Sequence, residues 1–189
     1  HLWSISRADG TGQVVISLAE IRKTLHLADG APRHYTPVVA PVGMPERILP
    51  SDPYLVGRDF ALEALEEIPA DYLAGSVPQR GSLLRGILDA AGQADGEGRV
   101  HVPAGTPARA AVLTDLVRSM GGMSRPVGPQ PRSGLIVELP ACPPDAGGTG
   151  SGLRRAIVDV VPVGVKNAQC IAVDAPDRRY VTDGFILTH

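Results

Sequence analysis

The segment HVPAGTPARAAVLTDLVRSMGG, residues 101–122, has the order of a β-strand, a turn and a capped α-helix. Thr106 stands where an N-cap belongs, Pro107 at the first helical position, and Gly121 just beyond the last turn. The apolar side chains between them recur at helical spacing: Val112, Leu113, Leu116 and Val117. This pattern predicts a helix over 106–120 with the apolar stripe in the core.

The start of this helix raises the question of phosphate binding, because free N–H groups at a helix N-terminus attract anions. Arg109 offers a positive charge there, but Pro107 lacks an N–H and the Thr106 hydroxyl competes for another. The segment has neither a G-x-G-x-x-G nor a G-x-x-x-x-G-K-[ST] motif. We therefore expect Thr106 and Arg109 to serve strand-to-helix packing rather than a phosphate, and we expect no cofactor.

Towards the N-terminus, residues 3–16 predict a β-hairpin around an Asp-Gly turn. A Ser-x-x-Glu capping box then opens a short helix over 17–27. Prolines recur throughout residues 28–53, and each removes a backbone donor and restrains the residue before it. We expect mainly coil there, with one short strand at 38–42.

Two further helices are predicted before residue 101. The apolar spacing in 57–68 indicates a surface helix that Pro69 ends. The segment 81–94 indicates a second helix with Ser82 as its cap. Within it, Gly86 is expected to weaken the helix by about 1 kcal/mol relative to alanine.

The pattern changes after residue 132, where four segments rich in Val and Ile read as strands: SGLIVELP, LRRAIVDVVPVGV, QCIAVDA and RYVTDGFILTH. Gly and Pro dominate residues 141–152, which predict a flexible connection. We expect an α+β fold. Residues 1–132 form a mixed part with the hairpin and about four helices, and residues 133–189 form a part with mainly antiparallel strands. The alternative is that the two parts form one compact domain.

Composition excludes several classes of function. The formal net charge of -2 does not suit the basic surface that nucleic-acid binding needs. No apolar run approaches the roughly 18 residues that span a bilayer. Two cysteines, with histidines at unsuitable spacings, do not form a metal-ligand pattern. We expect no metal, no nucleic acid and no membrane span, while localisation in the cytoplasm and export both stay open.

Candidate catalytic residues are dispersed. Cys142 lies in a coil segment and is the more reactive of the two thiols, and His101 or His34 offers a base for it. Together with Asp159, Cys142 and His101 are the first residues to test for a hydrolase or transferase assembled from distant positions. If the protein is exported, Cys142 and Cys170 are expected to form a disulfide.

One stretch carries a resemblance to known proteins. Residues 3–19, WSISRADGTGQVVISLA, are similar to a Trp, Arg, Asp-Gly-Thr, Leu-Ala strand pattern in uncharacterised mycobacterial proteins encoded near type VII secretion genes. The arginine-rich composition, in which lysine occurs twice, is typical of the GC-rich genomes of actinobacteria. The resemblance implies a secretion or envelope setting and no catalytic residue.

The final segment, YVTDGFILTH, predicts a strand that is apolar on both faces from Phe185 onward. Phe185, Ile186 and Leu187 are therefore the candidate partner-binding residues, through strand pairing with a second copy or with another protein. We expect a non-enzymatic protein-interaction or scaffold module. The alternative is the hydrolase or transferase.

Overall fold

A computed structural model describes the chain at the following residues: 2–7, 12–128, 134–140, 153–167, 171–174, 176 and 180–188. Helices and antiparallel sheets are both present, which confirms the α+β class. Contacts divide the chain into two compact units, which are described separately here as unit 1 and unit 2. Unit 1 contains His1–Val38 and Leu153–His189, and unit 2 contains Val39–Gly152.

Five helices and ten strands lie within the described residues. The helices are α1 Leu18–Lys23, α2 Pro53–Ala61, α3 Ala70–Leu73, α4 Val77–Ala91 and α5 Pro107–Ser119. The strands are β1 Leu2–Arg7, β2 Gln13–Ser17, β3 His34–Pro37, β4 Gln93–Ala94, β5 Arg99–Val102, β6 Met123–Pro126, β7 Leu135–Glu138, β8 Arg154–Ala156, β9 Tyr180–Thr182 and β10 Ile186–Thr188.

In unit 1 the predicted hairpin forms from β1 and β2, and it belongs to an antiparallel sheet with the order β2-β1-β3-β8. The capping box is confirmed: the Ser17 Oγ accepts from the Glu20 N–H at 3.2 Å, and the Glu20 Oε2 accepts from the Ser17 N–H at 2.8 Å. Helix α1 ends earlier than predicted, because the Thr24 N–H closes its last turn on the carbonyls of Glu20 and Ile21.

The pairing of β3 with β8 joins two distant parts of the chain, since Tyr35 lies opposite Ala156. For this reason the first and last segments share one unit, a grouping that differs from a division at residue 132. The strand predicted at 38–42 is wrong, because the strand lies at 34–37. In unit 2 the Val42 N–H instead donates to the carbonyl of Ser119, the last residue of α5, at 2.9 Å.

The C-terminal segments contain less strand than predicted. Of residues 153–165 only Arg154–Ala156 is a strand, and the described part of QCIAVDA, residues 171–174, is coil. Within the segment RYVTDGFILTH, the described residues 180–188 form a hairpin rather than one strand, with β9 paired to β10 in a separate two-stranded sheet. The connection predicted at 141–152 lies outside the described residues.

Unit 2 contains a second antiparallel sheet, with the order β4-β5-β7-β6, and a core that the helices share with it. Helix α5 confirms the prediction from Thr106 and Pro107, and Gly121 follows it with a positive φ of 77°. Of its predicted apolar stripe, Leu113, Leu116 and Val117 are buried, and Val112 is partly buried.

Helices α2 and α4 begin earlier than predicted. Asp52 caps α2 by accepting from the Tyr54 N–H at 2.9 Å, and the helix ends at Ala61 rather than at Pro69. Helix α4 begins after Ser76, whose N–H donates to the Gln79 side chain at 2.9 Å. The predicted cap at Ser82 is therefore wrong, because Ser82 lies inside α4.

Helices α2 and α4 touch through their backbones at two glycines. A Cβ atom at Gly57 would overlap the carbonyl oxygen of Leu83, and one at Gly86 would overlap the carbonyl oxygen of Tyr54. Only glycine permits such an approach. The helix propensity cost of Gly86 is therefore outweighed by the contact that its missing side chain allows.

Arg80 on α4 is fully buried and is surrounded by carbonyl groups. Its guanidinium donates to Gly75 O and Ser119 O, each at 2.9 Å, and to Val42 O. Burial lowers the pKa of Arg80. The side chain thus joins the start of α4, the end of α5 and the segment after Val39 by hydrogen bonds to a charged group, which are stronger than neutral ones.

We predict that Arg80→Met destabilises the fold by about 3 kcal/mol or more, because it removes three hydrogen bonds from a buried guanidinium to the backbone carbonyls of Gly75, Ser119 and Val42. The matched control is Arg85→Met on the same helix, where the side chain is 77% exposed and pairs with Asp89 at 3.4 Å. That change is expected to cost less than about 1 kcal/mol. Urea melts of both variants test the prediction, and equal midpoints for the two would contradict it.

Candidate functional site

His101, a candidate catalytic residue, lies on β5 beside a turn that Asp95 organises. The Asp95 carboxylate accepts from the Arg99 Nε at 2.6 Å and from the backbone N–H groups of Glu97 at 2.8 Å and Arg99 at 3.3 Å. These hydrogen bonds, led by that from the Arg99 side chain, lower the pKa of Asp95 to about 2. The Nε2 of His101 is 3.7 Å from Asp95 Oδ2, too far for a hydrogen bond.

The arrangement around His101 does not assemble a nucleophile within the described residues. Ser124 lies in register with Val137 and Val100, so its side chain shares the core face of the sheet. His101 follows Val100 and therefore points to the other face. Cys142 lies outside the described residues, and Asp159 belongs to unit 1 whereas His101 belongs to unit 2.

Thr106 and Arg109 meet at the start of α5. The Thr106 Oγ1 accepts from the Arg109 N–H at 3.3 Å. The Arg109 guanidinium packs over the ring of Phe60 at 3.8 Å and donates to the carbonyl of Phe60 and to those of Leu65 at 3.1 Å and Glu66 at 3.2 Å. Arg109 thus fastens the loop after α2 to α5, which is a structural contact between elements of unit 2.

An apolar groove of about 490 Å³ runs along α4 in unit 2. One wall is a stripe of α4 at helical spacing, Val77, Gly81, Leu84 and Leu88, and the other residues that line it are Pro41, Arg85, Asp89, Met120, Leu139 and Pro140. Met120 closes the end of α5, and Leu139 follows β7. We call this surface the apolar groove.

Unit 1 has a smaller apolar cavity, of about 350 Å³, in which Trp3, Ile21 and Ile186 share the wall with Asp159. The indole N–H of Trp3 is buried and has no hydrogen-bond partner among the described residues. Asp159 accepts from the Val160 N–H at 2.7 Å. Within this cavity Asp159 has no histidine beside it in the lining, so its surroundings do not resemble a catalytic dyad.

The three candidate partner-binding residues occupy different positions in the β9–β10 hairpin. Phe185 lies in the turn with a left-handed φ of 57°, which is unusual for a bulky side chain. Ile186 lines the apolar cavity of unit 1, and Leu187 lies opposite Val181. Among the described residues β10 pairs with β9 alone, so self-association through β10 stays a prediction.

A third depression, of about 270 Å³, lies in unit 1 between β1, β3 and α1. Three cations and one carboxylate are among the residues that line it, together with a buried histidine, His34. Sequence interpretation placed His34 only as a partner for Cys142. No signal in the sequence alone brings its neighbours together, because they come from three elements.

Comparison with known proteins gives no match to any family model, curated protein or solved structure. Among the described residues no three His, Cys, Asp or Glu side chains are grouped so as to hold a metal ion. In the same part of the chain, no helix is long and apolar enough to cross a bilayer.

The lowered pKa of Asp95 predicts a pH dependence of stability. Because its folded-state pKa lies near 2, below the usual 3.8, the ionised carboxylate stabilises the fold above about pH 4. This contribution is lost as the pH falls through about 2. Urea melts across this range should show a shallower loss of stability in Asp95→Asn than in the wild type, with Asp71→Asn as the control for a removed surface charge. An Asp95 carboxyl carbon that titrates near pH 4 by NMR would contradict the prediction.

Proposed function

We propose that the chain is a non-enzymatic protein-interaction module whose apolar groove binds an amphipathic helix of a partner protein. The observation that carries the proposal is the groove itself. Its volume of about 490 Å³ falls within the range of sites that hold ligand groups, and its walls are mainly aliphatic. Met120 in the lining adds a flexible side chain, which suits a surface that adapts to a partner.

The charges at the groove favour binding over catalysis. Arg85 and Asp89 are the charged residues in the lining, and they lie one turn apart on α4 and pair with each other at 3.4 Å. A catalytic site needs polar groups that converge on a reacting atom with perturbed protonation. The paired charges at the rim instead resemble the polar border of an apolar contact surface.

The shape of the groove favours a helix as its occupant. From Val77 to Leu88 the apolar stripe spans about 16 Å along α4, roughly three turns. The walls consist of side chains from a helix, a helix end and a loop, and strand addition instead needs the free backbone groups of a sheet edge. A partner helix with apolar residues at i, i+4 and i+7 matches the stripe.

The setting of this module is a separate proposal. The resemblance of residues 3–19 to proteins encoded near type VII secretion genes supports a secretion or envelope system. Self-association through β10 offers a scaffold role in the same setting. The hydrolase or transferase alternative, with Cys142, His101 and Asp159, gains no support from the surroundings of His101 and Asp159 in their two units.

The groove proposal predicts that helical peptides selected from a displayed library bind the wild type with dissociation constants in about the micromolar range. Leu139→Glu adds a charge to the groove at a side chain that is already 36% exposed, so it should weaken these peptides at least about tenfold. The matched control is Ile48→Glu, because Ile48 is fully exposed and lies outside the groove lining.

Circular dichroism melts establish that both variants fold. Peptides that bind the wild type and Ile48→Glu but lose affinity for Leu139→Glu support the proposal. A selection that yields no such peptides, or a groove that binds only small apolar molecules, would overturn it.

A further inference from the structure

The third depression, in unit 1, is lined by Arg7, Ile16, Glu20, Lys23, Thr24, Arg33 and His34, and we call it the basic cleft. Three of these side chains are cations and one is a carboxylate. The cleft is distinct from the apolar groove, which belongs to unit 2. What it binds is a question separate from the proposed function.

The sheet and α1 bring these residues together. Arg7 lies directly opposite His34 in the β1–β3 register, and Arg33 precedes His34 in the chain. Lys23 and Thr24 end α1. Three elements therefore place positive charge around one imidazole, although the residues are spread over 28 positions, from 7 to 34.

The three cations of the basic cleft outnumber its one carboxylate, Glu20, which attracts Lys23. Among the described residues, no carboxylate oxygen lies within 4.0 Å of the side-chain nitrogens of Arg7, Lys23 or Arg33. The Glu20 carboxylate is held at the cap of α1, where its Oε2 accepts from the N–H and the hydroxyl of Ser17 at 2.8 and 2.7 Å. The basic cleft therefore attracts anions.

His34 forms one hydrogen bond and lacks another. The Thr24 hydroxyl donates to the Glu20 carbonyl at 2.8 Å, so the Thr24 Oγ1 accepts from the Nε2 of His34, also at 2.8 Å. The proton of a neutral imidazole then sits on Nε2, and Nδ1 keeps a bare lone pair. His34 is only 4% exposed, and its Nδ1 has no hydrogen-bond partner among the described residues.

The surroundings keep this imidazole neutral. Burial is the main cause that lowers the pKa of His34, and the positive charges of Arg33 and Arg7 lower it further, against a hydrogen bond to the Thr24 backbone that raises it. The basic cleft thus combines positive charge, which favours an anion, with a buried acceptor, which favours a donor. A buried acceptor without a hydrogen bond raises the free energy of the fold. A ligand that donates a hydrogen bond to Nδ1 removes this penalty and therefore binds more tightly.

We propose that the basic cleft binds a phosphoryl group that carries a proton, as hydrogen phosphate or as a singly protonated phosphate ester. The exposed side chains of Arg7, Lys23 and Arg33 rearrange around the phosphoryl oxygens, and the P–OH group donates to the Nδ1 of His34. Sulfate has the same shape and charge as hydrogen phosphate but no proton near neutral pH. A sulfate oxygen near the unprotonated Nδ1 would bring two lone pairs together and would form no hydrogen bond.

The test compares inorganic phosphate with sulfate by calorimetry on the full chain, near neutral pH and at equal ionic strength. The wild type should bind phosphate at least about tenfold more tightly than sulfate, the ratio that one hydrogen bond to a charged group supplies. His34→Gln keeps a donor near the Nε2 position and removes Nδ1, so this preference should fall to near unity. Arg33→Ala should weaken the binding of both anions. Arg22→Ala should change the binding of neither, because Arg22 lies outside the lining.

A second measurement guards against a variant that does not fold. In the wild type, NMR of the His34 ring should show a shift of Nδ1 with phosphate and a much smaller one with sulfate. Equal affinity for the two anions, no binding of either, or a preference that survives in folded His34→Gln would overturn the proposal.

A third arm distinguishes the sources of the phosphoryl group. O-phosphoserine is compared with inorganic phosphate near pH 6, where about half of a phosphate ester carries its second proton. Tighter binding of the ester indicates a phosphorylated molecule as ligand. Tighter binding of inorganic phosphate indicates the free ion.

Discussion

The backbone contact between α2 and α4 at Gly57 and Gly86 is the constraint on which unit 2 depends. The two helices lie closer than side chains would allow, because each glycine faces a carbonyl oxygen of the other helix. This crossing turns Leu83, Leu84 and Ile87 of α4 into the core. Leu84 and the partly buried Leu88 also line the apolar groove. Helix α2 packs against one face of α4 and does not cover the opposite face. The apolar groove runs along that uncovered face.

Much of the local structure could be predicted from the sequence, and the long-range structure could not. The caps of α1 and α5 follow from side chains that bond within three residues, so short-range patterns contain them. The β3–β8 pairing depends on residues more than 100 positions apart, which no local pattern encodes. The expected effect of Gly86 on stability reverses for the same reason. Helix propensity describes an isolated helix, whereas in the fold the carbonyl of Tyr54 leaves no space for a side chain at position 86.

The candidate surfaces were partly visible in the sequence. A helix was expected over 81–94, but the position of its Leu84 and Leu88 beside Met120 and Leu139 depends on how α4, α5 and β7 pack. The basic cleft was not predicted. Single cations such as Lys23 normally lie on a solvated face, and a histidine gains significance only when its unpaired Nδ1 is known.

The close α2–α4 contact holds unit 2 together, and one pair of substitutions in α4 measures its effect on stability. A Cβ at Gly81 would meet only the Met120 Cε, at 3.6 Å, so Gly81→Ala should gain up to about 1 kcal/mol of stability from helix propensity. Gly86→Ala has the same propensity gain but separates the helices, so we expect a net loss of more than about 1 kcal/mol of stability. Urea melts that show both variants equally stabilised would contradict a close α2–α4 contact that stabilises unit 2.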